Sequence, residues 1–209
     1  MSSIVYLGHA SFLLKAKDFD VVIDPYDHDS VPNLRFPKGI VADKVFCSHG
    51  HSDHNAQHLI AIKANPKDVK VVEATVPHDN VGGAKRGMNK IRMFDLDGIK
   101  VVHMGDTGCV LSAKELEPFM NCDVLLAPIN GFFTIGPNEL KQMVEIIKPR
   151  IVVPMHYFMK KYQSGYPDGD MISQFEKLFP NIEYLDSAEL NLDEYKDYCG
   201  ALIFTCYRQ

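Results

Sequence analysis

Apolar residues along the chain come mostly in short runs bounded by glycine, proline or aspartate, which is the pattern of strands rather than of long helices. The runs at residues 3–8, 11–16 and 20–25 predict two or three antiparallel strands. An irregular loop follows at residues 26–39. The next run, residues 43–49, predicts a strand that ends in a histidine-rich stretch, "CSHGHSDHN".

Strands and helices alternate more regularly further along the chain. Strand-like runs occupy residues 69–75, 90–96, 99–105, 123–128, 150–156, 181–186, 188–192 and 201–207. Helical spacing predicts helices at residues 55–65 with Asn55 as the N-cap, at 112–119 with a Ser112 and Glu115 capping box, at 137–148, and at 170–179. So many strands with so few helices fit two sheets face to face with helices outside, in a single domain spanning residues 1–209.

Composition narrows the class of protein. Hydrophobic residues make up 46% of the 209 residues and charged residues 23%, which is ordinary for a globular chain. The formal net charge of -5 provides no general attraction for nucleic acid or an anionic membrane. Five widely spaced cysteines, with no Cys-x-x-Cys, indicate neither a disulfide framework nor a thiolate zinc site. We expect a soluble cytoplasmic protein, with a homo-oligomer left open.

The histidine-rich stretch predicts a metal site. His49 and His51 occupy alternate positions and face one point, while Asp53 and His54 address a second point from the following turn. Imidazole and carboxylate ligands without thiolate favour zinc, manganese or iron. A histidine-rich polar loop is the simpler interpretation, but four ligand-type residues at this spacing make two metals the better hypothesis.

A two-metal site needs ligands from elsewhere, including a bridging carboxylate. Asp106 in "GDTG" follows an apolar strand and lies near glycines that permit close approach. His156 ends another strand, and His78 precedes a flexible turn. His103 competes with His78 as the third histidine, but strand alternation points it away from Asp106 unless Gly105 turns the chain. His103 is therefore assigned as a substrate contact or as a support for a ligand.

These motifs resemble the metallo-β-lactamase superfamily, whose His-x-His-x-Asp-His signature corresponds here to His49–His54. The stretches "YLGHASFLL", "HDNVGGAKRGMN" and "GDTG" are similar to small metal-dependent hydrolases related to ascorbate-6-phosphate lactonase. The resemblance implies a four-layer αββα sandwich with the site at one edge. It also implies a hydrolase in which water activated by two divalent metal ions, zinc before manganese or iron, attacks a small ester, lactone or phosphoester.

The resemblance also implies roles for individual residues. His49, His51 and His78 would bind the first metal; Asp53, His54 and His156 would bind the second; and Asp106 would bridge them. Asp53 and Asp106 would be the catalytic carboxylates, with Asp24 and His9 supporting the ligands. From the residues themselves, Lys85, Arg86 and Asn89 in a glycine-rich turn are candidate contacts for an anionic substrate, and Tyr157 is a candidate hydrogen-bond donor.

Two other functions stay open at the level of sequence. A phosphodiesterase acting on nucleic acid or a nucleotide would use the same metal ligands. The negative net charge of the chain, however, disfavours binding of long nucleic-acid strands. A metal-stabilised binding module without turnover would also fit. A redox di-iron centre is disfavoured because His51 stands where the oxidoreductases of the superfamily that this chain resembles usually have glutamate.

Overall fold

The computed structural model describes residues 2–209, which form two mixed β-sheets that face each other across a shared core. The first sheet has five strands in the order β13-β1-β2-β3-β5. Its strands are β1 Ser3–Gly8, β2 Ser11–Lys15, β3 Asp20–Ile23, β5 Lys44–Phe46 and β13 Glu189–Asn191. Strands β1, β2 and β3 pair antiparallel, as the sequence predicts, and β3 pairs parallel with β5.

The second sheet has seven strands in the order β12-β14-β11-β10-β9-β8-β7. Strands β7, β8 and β9 form an antiparallel meander, and β9, β10, β11, β14 and β12 run parallel. Their bounds are β7 Val71–Pro77, β8 Met88–Leu96, β9 Ile99–His103, β10 Val124–Pro128, β11 Ile151–Met155, β12 Ile182–Leu185 and β14 Gly200–Phe204. These strands confirm the predicted runs to within a few residues.

Alternation along the five-stranded sheet divides its side chains between two apolar clusters. Ile4, Tyr6 and Phe12 point toward the seven-stranded sheet and join the main core, whereas Val5 and Leu13 point the other way. Both faces of this sheet are therefore buried, so β1 consists entirely of buried residues.

Three helices pack on the outer face of the seven-stranded sheet: α1 Ala113–Leu116, α2 Pro137–Ile147 and α3 Met171–Leu178. The Ser112 hydroxyl accepts a hydrogen bond from the Glu115 amide, and the Glu115 carboxylate accepts one from the Ser112 amide. This reciprocal pair confirms the predicted capping box. Within residues 2–209, no helix has the length and apolar character needed to cross a membrane.

The outer face of the five-stranded sheet is covered by the segment 26–62 without an α-helix. The predicted helix at 55–65 is wrong: only a 3-10 turn, Gln57–Leu59, forms there. The chain then pairs as strand β6 Ala61–Ile62 with β4 Val41–Ala42, and the Ala61 amide donates to the Ile40 carbonyl. Strand pairing satisfies these backbone groups, and Pro66 restricts the preceding residue to extended conformations, so the helical periodicity is overridden.

Strand ends and loops bring the predicted ligands to one edge of the sandwich. The ligand-bearing loop Ser48–His54 follows β5, and His78 follows β7 directly. Asp106 and His156 follow β9 and β11, two parallel strands that flank β10. The turn between β1 and β2 places His9 at the same edge, where it contacts Asp53 and His156. The topology therefore brings residues that are distant in sequence together at a single site.

Candidate metal centre

Asp24 holds the ligand-bearing loop Ser48–His54 in place. Its buried carboxylate accepts hydrogen bonds from the Ser48 amide at 2.6 Å, from the Ser48 hydroxyl at 2.6 Å and from His54 Nδ1 at 2.9 Å. Burial raises the pKa of Asp24, but the hydrogen bonds from His54 and Ser48 outweigh it and lower the pKa below its ordinary value. The His54 ring is thus fixed with Nε2 directed toward the other ligand-type residues.

The structure brings all seven predicted ligands together. His49, His51 and His78 form one group, and Asp53, His54 and His156 belong to a second group, each with its ligand atoms within 4.8 Å of one another. One oxygen of Asp106, Oδ2, lies between the groups: it is 3.1 Å from His156 Nε2, 3.2 Å from His54 Nε2 and 3.5 Å from His78 Nε2. That position suits the predicted bridging carboxylate.

The donor set fits divalent metal ions. Tetrahedral ligands about 2.0–2.1 Å from a zinc ion are about 3.3–3.4 Å from one another. The three Asp106 distances lie close to that value, and none of these contacts satisfies the geometry of a hydrogen bond. Several buried polar atoms in the site lack a hydrogen-bond partner: His54 Nε2, His78 Nδ1, His156 Nδ1 and Nε2, and Asp106 Oδ1. Unpaired buried polar atoms are costly, and metal ions would bind most of those that converge here.

Electrostatics in the site favour metal binding near neutral pH. Burial lowers the pKa of His49 to about 3, with His54 as the next contributor, so the imidazole is neutral and its lone pair is available. Burial also raises the pKa of Asp53, but the neighbouring histidines His9 and His54 outweigh this and lower it below the ordinary value. His49 therefore presents a neutral imidazole and Asp53 an ionised carboxylate. At His54, burial lowers the pKa, but Asp106 and Asp24 outweigh it and raise the pKa well above its ordinary value.

Asn89 positions Asp106. The Asn89 Oδ1 atom accepts the Asp106 amide at 2.8 Å, and Nδ2 donates to the Met104 carbonyl at 2.8 Å. Gly105, with φ of 53°, turns the chain beside it, where an added Cβ would lie 2.2 Å from Asn89 Oδ1. Asn89 is completely buried, so its prediction as a substrate contact is wrong. Its amide instead fixes the strand-to-turn corner that orients the carboxylate.

Two more predicted substrate contacts lie in the protein interior. The His103 ring is buried: Nε2 donates to the Ala10 carbonyl at 2.8 Å, and Nδ1 accepts the Gly105 amide at 3.1 Å. Tyr157 is also buried, and its hydroxyl donates to the Phe204 carbonyl at 3.4 Å. Both are corrections, because side chains whose polar atoms bond inside the core have no access to a substrate.

A cavity of about 360 Å³ opens over the ligands. Its lining combines ligand-type residues with an arginine and two aromatic rings, namely His51, Ser52, Asp53, Arg86, Asp106, Phe133, His156 and Tyr166. A larger depression of about 770 Å³ lies elsewhere and is lined by residues such as Glu183, Glu189 and Tyr195. We assign the smaller cavity as the site because it alone of these two contains ligand-type histidines.

Arg86 enters this cavity from a loop folded around Asp79. The Asp79 carboxylate accepts four backbone amides at 2.8–2.9 Å, from Val81, Gly83, Lys85 and Arg86. Burial raises the pKa of Asp79, but these hydrogen bonds lower it well below the ordinary value. The Arg86 guanidinium lies 5.3 Å from the centre of the Phe133 ring. Lys85 is exposed and lies outside the cavity lining.

Sequence reasoning missed Tyr166, which forms another wall of the cavity. Its ring stacks on His156 at 6.0 Å between centres and contacts Phe133 at 5.1 Å. The hydroxyl donates to the Ser30 carbonyl at 2.7 Å, and Asn33 Nδ2 donates to the nearby Gln163 carbonyl at 2.8 Å. An aromatic residue in the glycine- and proline-containing stretch "SGYPDGD", just after the ligand-type His156, was the available signal.

Comparison with known proteins places these features in a family. The model of the beta-lactamase superfamily domain matches residues 3–156. A UPF0173 metal-dependent hydrolase from Thermococcus onnurineus is 31% identical, with 75% of this chain and 85% of the relative covered. One from Thermococcus kodakarensis is 30% identical at the same coverage. The structure of a proposed Zn-dependent hydrolase of the metallo-beta-lactamase superfamily from Thermotoga maritima superposes with a TM-score of 0.73 at 28% identity, covering 98% of each chain, which confirms the fold.

Proposed function

Because the chain belongs to the beta-lactamase superfamily and its UPF0173 metal-dependent hydrolase family, we propose that it hydrolyses a small anionic ester, lactone or phosphoester at a two-metal site. The observation that carries this proposal is the cavity over the ligand-type residues, with the Arg86 guanidinium in its wall. Zinc is the first candidate metal, with manganese and iron as alternatives, because the donors are imidazoles and carboxylates.

The metals, when bound, would activate a water molecule and polarise the carbonyl or phosphoryl oxygen of the substrate. The residues of the chain supply the rest of the chemistry. Asp53 lines the cavity and is held ionised by its surroundings, which suits a group that orients the attacking water and passes its proton to the leaving group. Asp106 keeps the two groups of histidines at a fixed separation.

Arg86 would bind the anionic part of the substrate. Its guanidinium stacks near Phe133 and presents several donors, a geometry suited to a carboxylate or phosphate. The loop is ordered by Asp79 before any substrate binds, so little conformational entropy would be lost on binding. Phe133 and Tyr166 form apolar walls that would exclude water from around the rest of the bound substrate.

A phosphorylated lactone is the first substrate to test. The sequence resembles proteins related to ascorbate-6-phosphate lactonase in the motifs around His9, His78 and Asp106, and a phosphate would suit Arg86. The cavity of about 360 Å³ lies near the lower end of the range for sites that take small molecules. A long nucleic-acid strand would need a more extended basic groove.

The test begins with elemental analysis of protein purified without chelator, beside the His51→Ala and Asp106→Asn variants. We expect about two metals per chain, falling in both variants. A panel of lactones, phosphomonoesters and phosphodiesters is then assayed with wild type and Arg86→Gln. Arg86→Gln should raise KM for anionic substrates with little change for neutral analogues, and Lys85→Gln, whose side chain lies outside the cavity lining, is the matched control.

Two results would contradict this proposal. Absence of metal after reconstitution, in protein that remains folded, would remove the hydrolytic mechanism and favour the binding-module alternative. Turnover confined to nucleotide or nucleic-acid phosphodiesters, unaffected by Arg86→Gln, would favour the phosphodiesterase alternative.

A further inference from the structure

His9 lies in a turn that the surrounding structure holds in an unusual conformation. It connects β1 to β2 with φ of 57°, a left-handed conformation that is uncommon for residues other than glycine. Its carbonyl accepts hydrogen bonds from the Tyr6 hydroxyl and from the His156 amide, each at 3.0 Å. The preceding Gly8 has φ of 103° and packs so closely that an added Cβ would lie 2.9 Å from the Tyr26 hydroxyl.

This turn delivers the His9 ring into the second group of ligands. The ring centre is 4.0 Å from that of His156 and 5.1 Å from that of His54. His9 is only 3% exposed, yet neither of its ring nitrogens has a hydrogen-bond partner. Its ligand atom lies within 4.8 Å of those of Asp53, His54 and His156, so four residues form one compact set. A buried imidazole with both nitrogens unpaired needs an explanation.

Distances from the carboxylate oxygens in the site fall into two classes, one of hydrogen bonds and one of contacts between ligand-type residues. Asp24 makes the first class, with hydrogen bonds of 2.6–2.9 Å to Ser48 and His54. The second class consists of imidazole-to-carboxylate contacts of 3.1–3.6 Å around Asp53 and Asp106. His9 Nε2 lies 3.5 Å from Asp53 Oδ2, which places it in the second class. This distance is near the roughly 3.3–3.4 Å expected between two ligands of one tetrahedral ion.

We propose that His9 is a further protein ligand of the second metal, beside Asp53, His54, His156 and the shared Asp106. The inference rests on the proposed two-metal function and deepens it. With Asp106 shared between the groups, the second position would be closed by protein ligands, which is characteristic of tightly held metals. The first group includes the exposed His51 and would leave positions open. The two metals would therefore differ: the second retained, and the first exchangeable and accessible to substrate.

A hydrogen bond from His9 to Asp53 is the competing role, and it predicts a different state of the His9 nitrogen. In the bonded arrangement Nε2 would carry a proton, whereas as a ligand it would carry none. Nitrogen-15 NMR of histidine-labelled full-length protein distinguishes these states, because protonated, free and zinc-bound ring nitrogens have separate chemical shifts. Spectra of zinc-loaded and zinc-free protein, with His9 assigned by comparison with His9→Gln, provide the measurement.

We expect His9 Nε2 to move into the zinc-bound range when zinc is added. A protonated Nε2 in zinc-loaded protein, or a resonance that zinc does not move, would overturn the proposal. Wild-type protein in which the predicted ligand histidines shift and His9 does not would leave the two-metal function intact. If no histidine shifts, both the ligand role and the two-metal function fail.

Retention of zinc against a chelator gives a second readout. Wild type should lose one zinc readily and hold the other, whereas His9→Gln and His9→Phe should release both. The affinity of the second position should fall more than about 100-fold, beyond the roughly 10–100-fold typical of residues that only support a ligand. His58→Gln, at an exposed histidine, is the matched control. Retention of the second zinc in both His9 variants would refute the ligand role.

Discussion

Two loops converge on this site, and each is organised by a buried aspartate in a different way. Asp24 accepts bonds chiefly from side chains of the ligand-bearing loop, including His54 itself, and so determines the orientation of a ligand. Asp79 accepts only backbone amides from its loop and so determines the path of the chain, leaving the Arg86 side chain to face the cavity. One aspartate fixes the metal chemistry, and the other fixes how an anion-binding group is presented.

Removing Asp24 should have the largest effect. Asp24→Ala leaves the Ser48 amide, the Ser48 hydroxyl and His54 Nδ1 without an acceptor in a fully buried place, so the free energy of unfolding should fall by about 3 kcal/mol. Zinc affinity should fall about 10–100-fold because the His54 ring loses its orientation. Chemical denaturation and zinc competition measure the two effects, and unchanged zinc affinity would show that the loop orders itself without Asp24.

Gly108→Ala acts at the start of the Asp79 loop, directly beside the predicted ligand His78, and should rank next. An added Cβ would lie 2.2 Å from both the Asp79 amide nitrogen and the His78 carbonyl carbon, which are backbone atoms that cannot yield without moving a predicted ligand. We expect a loss of about 2 kcal/mol of stability, together with weaker binding of both zinc and anions. Gly108 lies outside the left-handed region of φ, so the loss would come from this clash rather than from backbone strain. Weakened anion binding with zinc affinity unchanged would show that the clash does not displace His78.

Asp79→Asn should separate the two functions of the loops. Its amide group would place a donor against backbone amides, disturbing the loop and therefore the Arg86 position. Binding of inorganic phosphate to zinc-loaded protein should weaken about tenfold while the zinc content stays the same. Titration calorimetry on Asp79→Asn, Arg86→Gln and the double variant tests this, because a double variant no weaker than Arg86→Gln shows that Asp79 acts through Arg86. Additive losses would refute that dependence.

The smallest effect is expected at a third buried aspartate. Asp43 accepts the Asp20 amide at 2.7 Å, the Lys67 amide at 2.9 Å and the Lys63 ammonium at 2.8 Å. Burial raises its pKa, but the bonds from Lys63 and the two amides lower it to about 2. Asp43→Asn should cost about 1 kcal/mol at pH 7 without altering zinc content.

The pH dependence of Asp43 follows from the sign of its shift. Because the folded pKa lies below the unfolded value, the stabilisation is present above about pH 4 and is lost as the pH falls through about 2. Melting temperatures of wild type and Asp43→Asn should therefore converge between pH 7 and pH 2.5. A constant difference across this range would show that shape rather than charge is responsible.

The strands and the ligand-bearing loop were predictable because both leave short-range marks in the sequence, whereas the grouping of the ligands followed from the resemblance to the metallo-β-lactamase superfamily. Apolar runs and turn residues define the strands, and the ligand-bearing loop concentrates its chemistry within a few positions. The 55–65 segment shows the limit of that reasoning. Its helical spacing is real, but pairing with β4 and the restriction imposed by Pro66 depend on a partner that periodicity does not identify.

Roles that depend on whether a side chain is buried were harder to predict from the sequence. Asn89, His103 and Tyr157 lie beside site residues in sequence, yet their side chains point into the interior and bond there. Tyr166 was missed for the opposite reason, since it belongs to a loop whose direction is set by contacts with residues 30–33. Nearness in sequence therefore located the site, but it did not show which of the residues around the predicted ligands face the cavity.

The attachment of Tyr166 to Ser30 and of Gln163 to Asn33 has a consequence for how this family diversifies. It joins the cavity wall to residues 30–33, which come before the ligand-bearing loop in the segment that covers the far face of the five-stranded sheet. Changes at residues 30–33 would shift the wall without altering any predicted ligand. The shape of the cavity and the positions of the predicted ligands thus depend on different residues, so substitutions can alter the first without altering the second.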